Sequence, residues 1–293
     1  MNWIRGFEWM CYCIVMLMLT DLIRRRDYNS LFTFGSAALV GFVMELLAVA
    51  VTDIYYYNQA FLLNLGAEPR QFPVFGGFMW GGLTVYGLKL AQKLRWNRVR
   101  TALAAGMFIV TMDLLLDVAA IRLDGGFWVW VGKEISPAID QHTFMSVIWV
   151  NFLGYMIETP TVAWLTLRKR ERVVESDWKQ QTKHMFLIAL GAIGVTAVGS
   201  LLALGLNALT DDWFACIAFV ILWCVLAMMM IHRCIVLRLK PEQPAKWDWP
   251  MLIFWTAMYG YCLIALCALG IGALAAVGTV FAAAALYVST VKG

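Results

Sequence analysis

Nine stretches of this chain run for roughly twenty residues with scarcely a charge, the length a helix needs to cross the hydrocarbon core of a bilayer. They cover residues 3–23, 31–52, 72–93, 101–122, 143–167, 185–208, 213–232, 251–269 and 272–290. The expected fold class is therefore all-α, a polytopic integral membrane helical bundle of about nine transmembrane helices. The first stretch is the weakest, because Arg5, Glu8 and Asp21 flank a short apolar centre. If it lies in the interface instead of spanning, the count falls to eight. The last apolar run is too long for one helix, and Gly270-Ile271-Gly272 reads as a turn that divides it. Composition agrees: 62% of the residues are hydrophobic and only 14% are charged, whereas a soluble domain is nearer half apolar.

The charges that remain are sorted by connection. Arg24, Arg25 and Arg26 follow the first stretch; Arg95, Arg98 and Arg100 follow the third. Arg168, Lys169, Arg170, Arg172, Lys179 and Lys183 follow the fifth, and Arg233, Arg238, Lys240 and Lys246 the seventh. The intervening connections carry one cation or none, against Asp53 and Glu68, then Asp124, Glu134 and Asp140, then Asp211 and Asp212. By the positive-inside rule the basic connections are cytoplasmic. Nine spans then put the N-terminus outside and the C-terminus inside. The net charge of +4 is accounted for by this topology and gives no reason to invoke nucleic acid. The seven cysteines lie in or beside apolar runs, as small packing residues do.

No soluble domain or internal repeat is visible. The chain divides by chemistry into a short first span or interfacial helix (1–30), a membrane core holding nearly all the intramembrane polar groups (31–168), a basic cytoplasmic loop (169–184) and an apolar four-helix region (185–293). That last region offers a large surface to a membrane-protein partner.

Within the core, the alternating topology fixes depth. Glu45, Asp113, Asp117 and Asn151 all fall in one slab, in the outer half of the membrane. Asp113 and Asp117 are four residues apart and so share a helix face. A charge at the centre of a spanning helix costs roughly 2.5–3.5 kcal/mol, so three carboxyls at one level are expected to face the bundle interior. Like charges in low dielectric cannot all be ionised, so at least one of the three is expected to hold a proton. The chemistry this permits is a buried acid beside a carboxylate that can take a proton back. Glu158, in Glu158-Thr159-Pro160, lies deeper and reads as part of a proline kink. His142, His184 and His232 are too dispersed for a metal site. Tyr55-Tyr56-Tyr57 and Phe127-Trp128-Val129-Trp130 suit an aromatic belt at the outer interface. They also border the carboxylate-bearing segments, where they could line the mouth of a site for a long apolar ligand.

These motifs occur in a definite order. Glu45 is followed by Tyr55-Tyr56-Tyr57, Gly66 and Pro73, then by Asp113-Leu114-Leu115-Leu116-Asp117, then by Gly126-Phe127-Trp128-Val129-Trp130, then by Asn151-Phe152-Leu153-Gly154-Tyr155. Over about 31–168 the chain resembles the membrane-embedded carotenoid biosynthesis protein family, best known for the carotenoid hydratases of bacterioruberin and related glycosylated-carotenoid pathways. Met112 stands where that pattern has Trp, Val118 where it has Pro, and Tyr155 where it has a final Trp. Gln141-His142-Thr143-Phe144 occupies the place of its Tyr-Tyr-Gly-x-Pro block.

The resemblance implies an enzyme of a prokaryotic inner membrane that hydrates a terminal double bond of a carotenoid or isoprenoid lipid, with no metal or organic cofactor. It implies Asp113 and Asp117 as acid and base in either order, Glu45 as stabiliser and Asn151 as positioning group. Tyr55, Tyr57, Trp128, Trp130 and Tyr155 become candidate contacts to the apolar polyene, with membrane lipids around. Two other classes fit the residues themselves: a non-catalytic subunit or lipid-binding scaffold, and a proton-coupled transporter.

Overall fold

The computed structural model describes residues 2–170 and 177–292. Residues 171–176 of the basic loop lie outside the described residues. Nine α-helices appear among those described: α1 (Trp3–Arg25), α2 (Tyr28–Val51), α3 (Val74–Gln92), α4 (Arg98–Ala120), α5 (Trp149–Arg170), α6 (Trp178–Leu209), α7 (Trp213–Leu237), α8 (Trp249–Ala268) and α9 (Gly272–Thr290). Seven of them, α1, α2, α4, α6, α7, α8 and α9, are long and apolar enough to cross a membrane. The two others are α3, which is rich in glycine, and α5, which carries Asn151, Glu158 and a basic last turn. Both pack beside α4.

Four of the helices begin at an Asn or Asp whose side chain accepts a backbone N–H of the first turn. Asn2 caps α1, Asp27 caps α2, Asn97 caps α4 and Asp177 caps α6. These residues supply the acceptor that an exposed helix start lacks. The turn at Gly270 is real: its φ is +73°, and it separates α8 from α9.

Helix α4 is the axis of the bundle, and 19 of its 23 residues are buried. The outermost helices are the opposite: α7 buries only Ala215, Phe219 and Leu226. Helices α2 and α3 approach closely because glycine lets rings lie on backbone. A Cβ at Gly77 would sit 2.5 Å from the Phe42 ring, and one at Gly41 would sit 2.4 Å from the Trp80 ring.

The two ends of the bundle differ. At one end, Arg25 approaches Asp248, Lys89 pairs with Asp27, and Arg233 donates to the carbonyls of Leu94 and Arg95. These contacts gather the basic connections. At the other end, six short strands form three two-stranded antiparallel ladders: β1 (Tyr55–Tyr57) with β4 (Trp128–Trp130), β2 (Asn64–Leu65) with β3 (Phe72–Pro73), and β5 (Thr143–Phe144) with β6 (Val147–Ile148). The expected fifth segment therefore loses its first six residues to a hairpin and the approach to α5.

Helix α1 starts at this strand-bearing end. Asp124 Oδ2 accepts the N–H of Trp3 (2.5 Å) and of Ile4 (3.1 Å). Glu8, buried, accepts the N–H of Leu62 (2.6 Å) and of Leu63 (3.2 Å). Of the charges that weakened the first segment as a span, Glu8 is thus held by backbone donors and Asp21 pairs with Arg25, and α1 packs against α3 and α8.

Candidate functional site

The site lies where α2, α3, α4 and α5 meet beneath the β1–β4 ladder. Three carboxyls come from two helices: Glu45 from α2, Asp113 and Asp117 from α4. Asp113 and Asp117 are buried, at 3% and 1% exposure. Set one turn apart on α4, they interact electrostatically. Like charges that close in low dielectric are not both ionised, so the pair acts as one unit.

The two aspartates have different surroundings. Asn151, on α5, donates its side-chain N–H to Asp117 Oδ2 at 2.5 Å. Asp113 shares the cavity wall with Tyr155, one turn beyond Asn151 on α5, and its Oδ2 has no partner among the described residues. Asp113 also lines a cavity that Asp117 does not.

Glu45 faces the same cavity. The hydroxyl of Tyr57 donates to its Oε2 at 2.9 Å, the hydroxyl of Tyr55 donates to the same oxygen, and the Trp80 side chain lines the same cavity. With these donors converging on it, Glu45 is held as an acceptor.

The aromatic stretches come together because β1 and β4 pair. Tyr55 lies opposite Trp130 and Tyr57 opposite Trp128. The Tyr57 and Trp128 rings meet edge to face at 5.9 Å, and the Tyr55 and Trp130 rings lie 5.1 Å apart. Tyr57 and Trp128 line the cavity, whereas Tyr55 and Trp130 stand behind them. Tyr155 stacks on Trp80 with centroids 4.8 Å apart and an interplanar angle of 29°. Every candidate residue read from the sequence is in this neighbourhood.

The cavity itself measures about 70 Å³. A water needs roughly 10–15 Å³ on this measure, so it admits a few waters or one branched end of an apolar chain. Its remaining walls include Phe72, Phe75, Met79, Leu83, Leu116 and, from α8, Met258. The apolar C-terminal region therefore contributes one side chain to the wall.

Two functional candidates escape the sequence reading. Trp80 gives no signal, since a Trp in a glycine-rich apolar helix looks like any packing residue. Glu158 is buried near Glu45 with its Oε1 unpartnered among the described residues. Its neighbour Pro160 does sit inside α5, packed against the Gly106 backbone, and the kink reading drew attention away from the carboxyl. Among the described residues no group of three or more His, Cys, Asp or Glu side chains is arranged to hold a metal ion.

A family model described as carotenoid biosynthesis protein matches residues 7–226, from α1 into α7. That match is wider than the 31–168 core read from motifs, and it takes in every site residue except Met258. No curated protein and no solved structure matches the chain significantly.

Proposed function

The chain belongs to the carotenoid biosynthesis protein family, and on that premise we propose that it is a membrane-embedded hydratase adding water to a terminal double bond of a carotenoid or related isoprenoid lipid. The observation that carries this reading is the pairing of Asp113 and Glu45 across one small, otherwise apolar and aromatic cavity. A cavity of about 70 Å³ cannot hold a whole polyene. It suits a chain end, with the rest of the molecule lying among helices and lipid.

In the proposed cycle, Asp113 gives the proton shared with Asp117 to the less substituted carbon of the terminal double bond. The π electrons form the new C–H bond, and a tertiary carbocation remains. The faces of Tyr57, Trp128 and the stacked Trp80–Tyr155 pair attract that cation, and the carboxylates lower its energy further. Water adds to the cation and loses a proton to Glu45, whose Oε2 is oriented by Tyr55 and Tyr57. When the proton has left the aspartate pair, the Asn151 amide steadies the charge on Asp117. The organism's part of the reading is a prokaryotic inner membrane, with the strand-bearing end and the site toward the outside and the basic end in the cytoplasm. The exposed faces of α6 and α7 are left to lipid or a membrane-protein partner.

The test is expression in a host that accumulates lycopene, followed by pigment extraction and mass spectrometry. The expected product is heavier than lycopene by one water with the wild type and is missing with Asp113→Asn. Unchanged lycopene beside well-inserted wild-type protein would overturn the proposal.

A further inference from the structure

Helices α7 and α9 both pack on α4 but scarcely on each other. The gap between them is a trough that shares no wall residue with the carboxylate cavity. At the strand-bearing end it is wide, a cavity of about 740 Å³ that holds Arg122, Ser136 and the start of α9. It continues past Phe144, Leu274 and Val277, which line both parts, into a narrower and wholly apolar cavity of about 220 Å³. That part closes to a waist at Trp223 of α7 and Phe281 of α9, whose ring centroids stand 5.7 Å apart. The Trp223 indole N–H donates to the Thr111 hydroxyl at 3.1 Å, which fixes the ring there. From Ile271 to Phe281 the wall is ten residues long, about 15 Å of helix. The hydrocarbon core is roughly 30 Å thick, so the trough is one leaflet deep.

Arg122 gives the wide end its character. Its guanidinium donates to the carbonyls of Val118 (2.8 Å), Ser136 (2.7 Å) and Met145 (3.0 Å). All three acceptors are neutral, and no carboxylate among the described residues pairs with it. A half-buried charge beside hydrocarbon is costly without a counter-charge. Helix α9 starts at the same cavity with no side-chain cap on its first turn, so its positive dipole end adds to the field of the cation. The occupant that matches has an anionic head, an apolar tail and the length of one leaflet.

We propose that the trough binds one anionic phospholipid from the leaflet at the strand-bearing end, its phosphate on Arg122 and one acyl chain laid between α7 and α9 as far as the Trp223–Phe281 pair. The acyl chain fills what the two helices leave open. It ties α7, which buries only three side chains of its own, to the rest of the bundle. A membrane-long polyene is the poorer match, because the waist stops it halfway and it has no anion to set against Arg122. The inference stands on the trough and does not depend on the hydratase reading.

The test takes purified full-length protein, stripped of lipid in mild detergent, and adds phosphatidylglycerol, phosphatidylcholine or inorganic phosphate. Native mass spectrometry counts what each chain retains. Wild type is compared with Arg122→Gln, with Val277→Trp, which plugs the trough below the cation, and with Val198→Trp, an exposed position on α6 away from it. Val277 is 47% exposed, so a larger side chain there leaves the core alone. The expected result is one phosphatidylglycerol per wild-type chain, preferred over phosphatidylcholine by about 10-fold. Arg122→Gln loses the preference, Val277→Trp loses the lipid, and Val198→Trp keeps both. Arg122 also holds three loop carbonyls, so if its glutamine variant misfolds, Val277→Trp alone decides. Equal binding of the two lipids by the wild type overturns the proposal, as does a Val277→Trp chain that retains phosphatidylglycerol as the wild type does. Displacement of the lipid by inorganic phosphate would make this a free-phosphate site and overturn the role of the tail. A polyene, in place of phospholipid, lost on Val277→Trp would overturn the choice of occupant.

Discussion

The sharpest consequence of the geometry is that the two aspartates should fail differently. Asp113→Asn keeps the shape of the side chain but removes the acid that faces the cavity. General acid–base catalysis by a positioned group is worth about 10²–10⁴-fold, and each tenfold is about 1.4 kcal/mol of barrier. Asp113→Asn should therefore cost roughly 3–5 kcal/mol of transition-state stabilisation. Asp117→Asn removes a group that does not line the cavity and whose Oδ2 already has a donor in Asn151. Asp113 can still hold a proton in that variant, so the loss should be nearer 10-fold, about 1.4 kcal/mol. The assay is hydrated carotenoid formed per unit of inserted protein in membranes from a lycopene-accumulating host, with insertion measured on the same membranes. The reasoning is refuted if Asp117→Asn is as inactive as Asp113→Asn, because the cavity-facing position would then not distinguish the two.

Tyr55→Phe and Tyr57→Phe each remove one hydroxyl that donates to Glu45 Oε2. Each should lower the steady hydration rate by about 10-fold, measured in the same membranes, and a pair of variants with unimpaired rates would disconnect Glu45 from the chemistry. Glu8→Ala strips the acceptor from the N–H groups of Leu62 and Leu63. An unmet buried donor costs about 1–3 kcal/mol, so the thermal midpoint in detergent should drop, and Glu8→Gln, which keeps one carbonyl acceptor, should drop less. Gly41→Ala would press a methyl into the Trp80 ring, displacing it from Tyr155, whereas Gly6→Ala meets nothing within 4 Å. The first should impair hydration and the second should leave it unchanged, a contrast that activity measurements on the two variants read directly.

What the sequence revealed followed from length, charge and period. Apolar runs of span length gave the helices, and alternating cations placed the basic connections at one end. Depth along those helices then brought Glu45, Asp113, Asp117 and Asn151 to one level, and the structure brings all four together. What stayed hidden depends on contacts between distant segments. Three-residue strands such as Tyr55–Tyr57 and Trp128–Trp130 are too short to announce a partner, and their register follows from the helices that hold them. The residues 143–148 are apolar enough to read as the start of a helix, yet Met145 and Ser146 take positive φ values of 50° and 73° and turn the chain into a hairpin. Trp80 becomes visible only when the absence of a side chain at Gly41 lets its ring pass between α2 and α3.

The spacing of the two aspartates gains its meaning from the same helical geometry. Four residues advance an α-helix by about 6 Å and turn it by about 40°. A second carboxyl at that spacing shares the first one's face and lies close to it, but sits one turn further along the helix. On α4 this leaves Asp113 at the cavity and carries Asp117 one turn toward the strand-bearing end, where Asn151 meets it. A lone buried Asp would have to hold its proton unaided and to bear a full charge once the proton was gone. In the proposed cycle the pair would divide those demands: Asp117, already supplied with a donor in Asn151, carries the negative charge while Asp113 holds the proton, and the carbocation formed in the cavity offsets the second charge that delivery leaves on Asp113. Two carboxyls in hydrocarbon are costly to insert, but in the proposed cycle the charged neighbour would keep the proton on Asp113 until an alkene takes it.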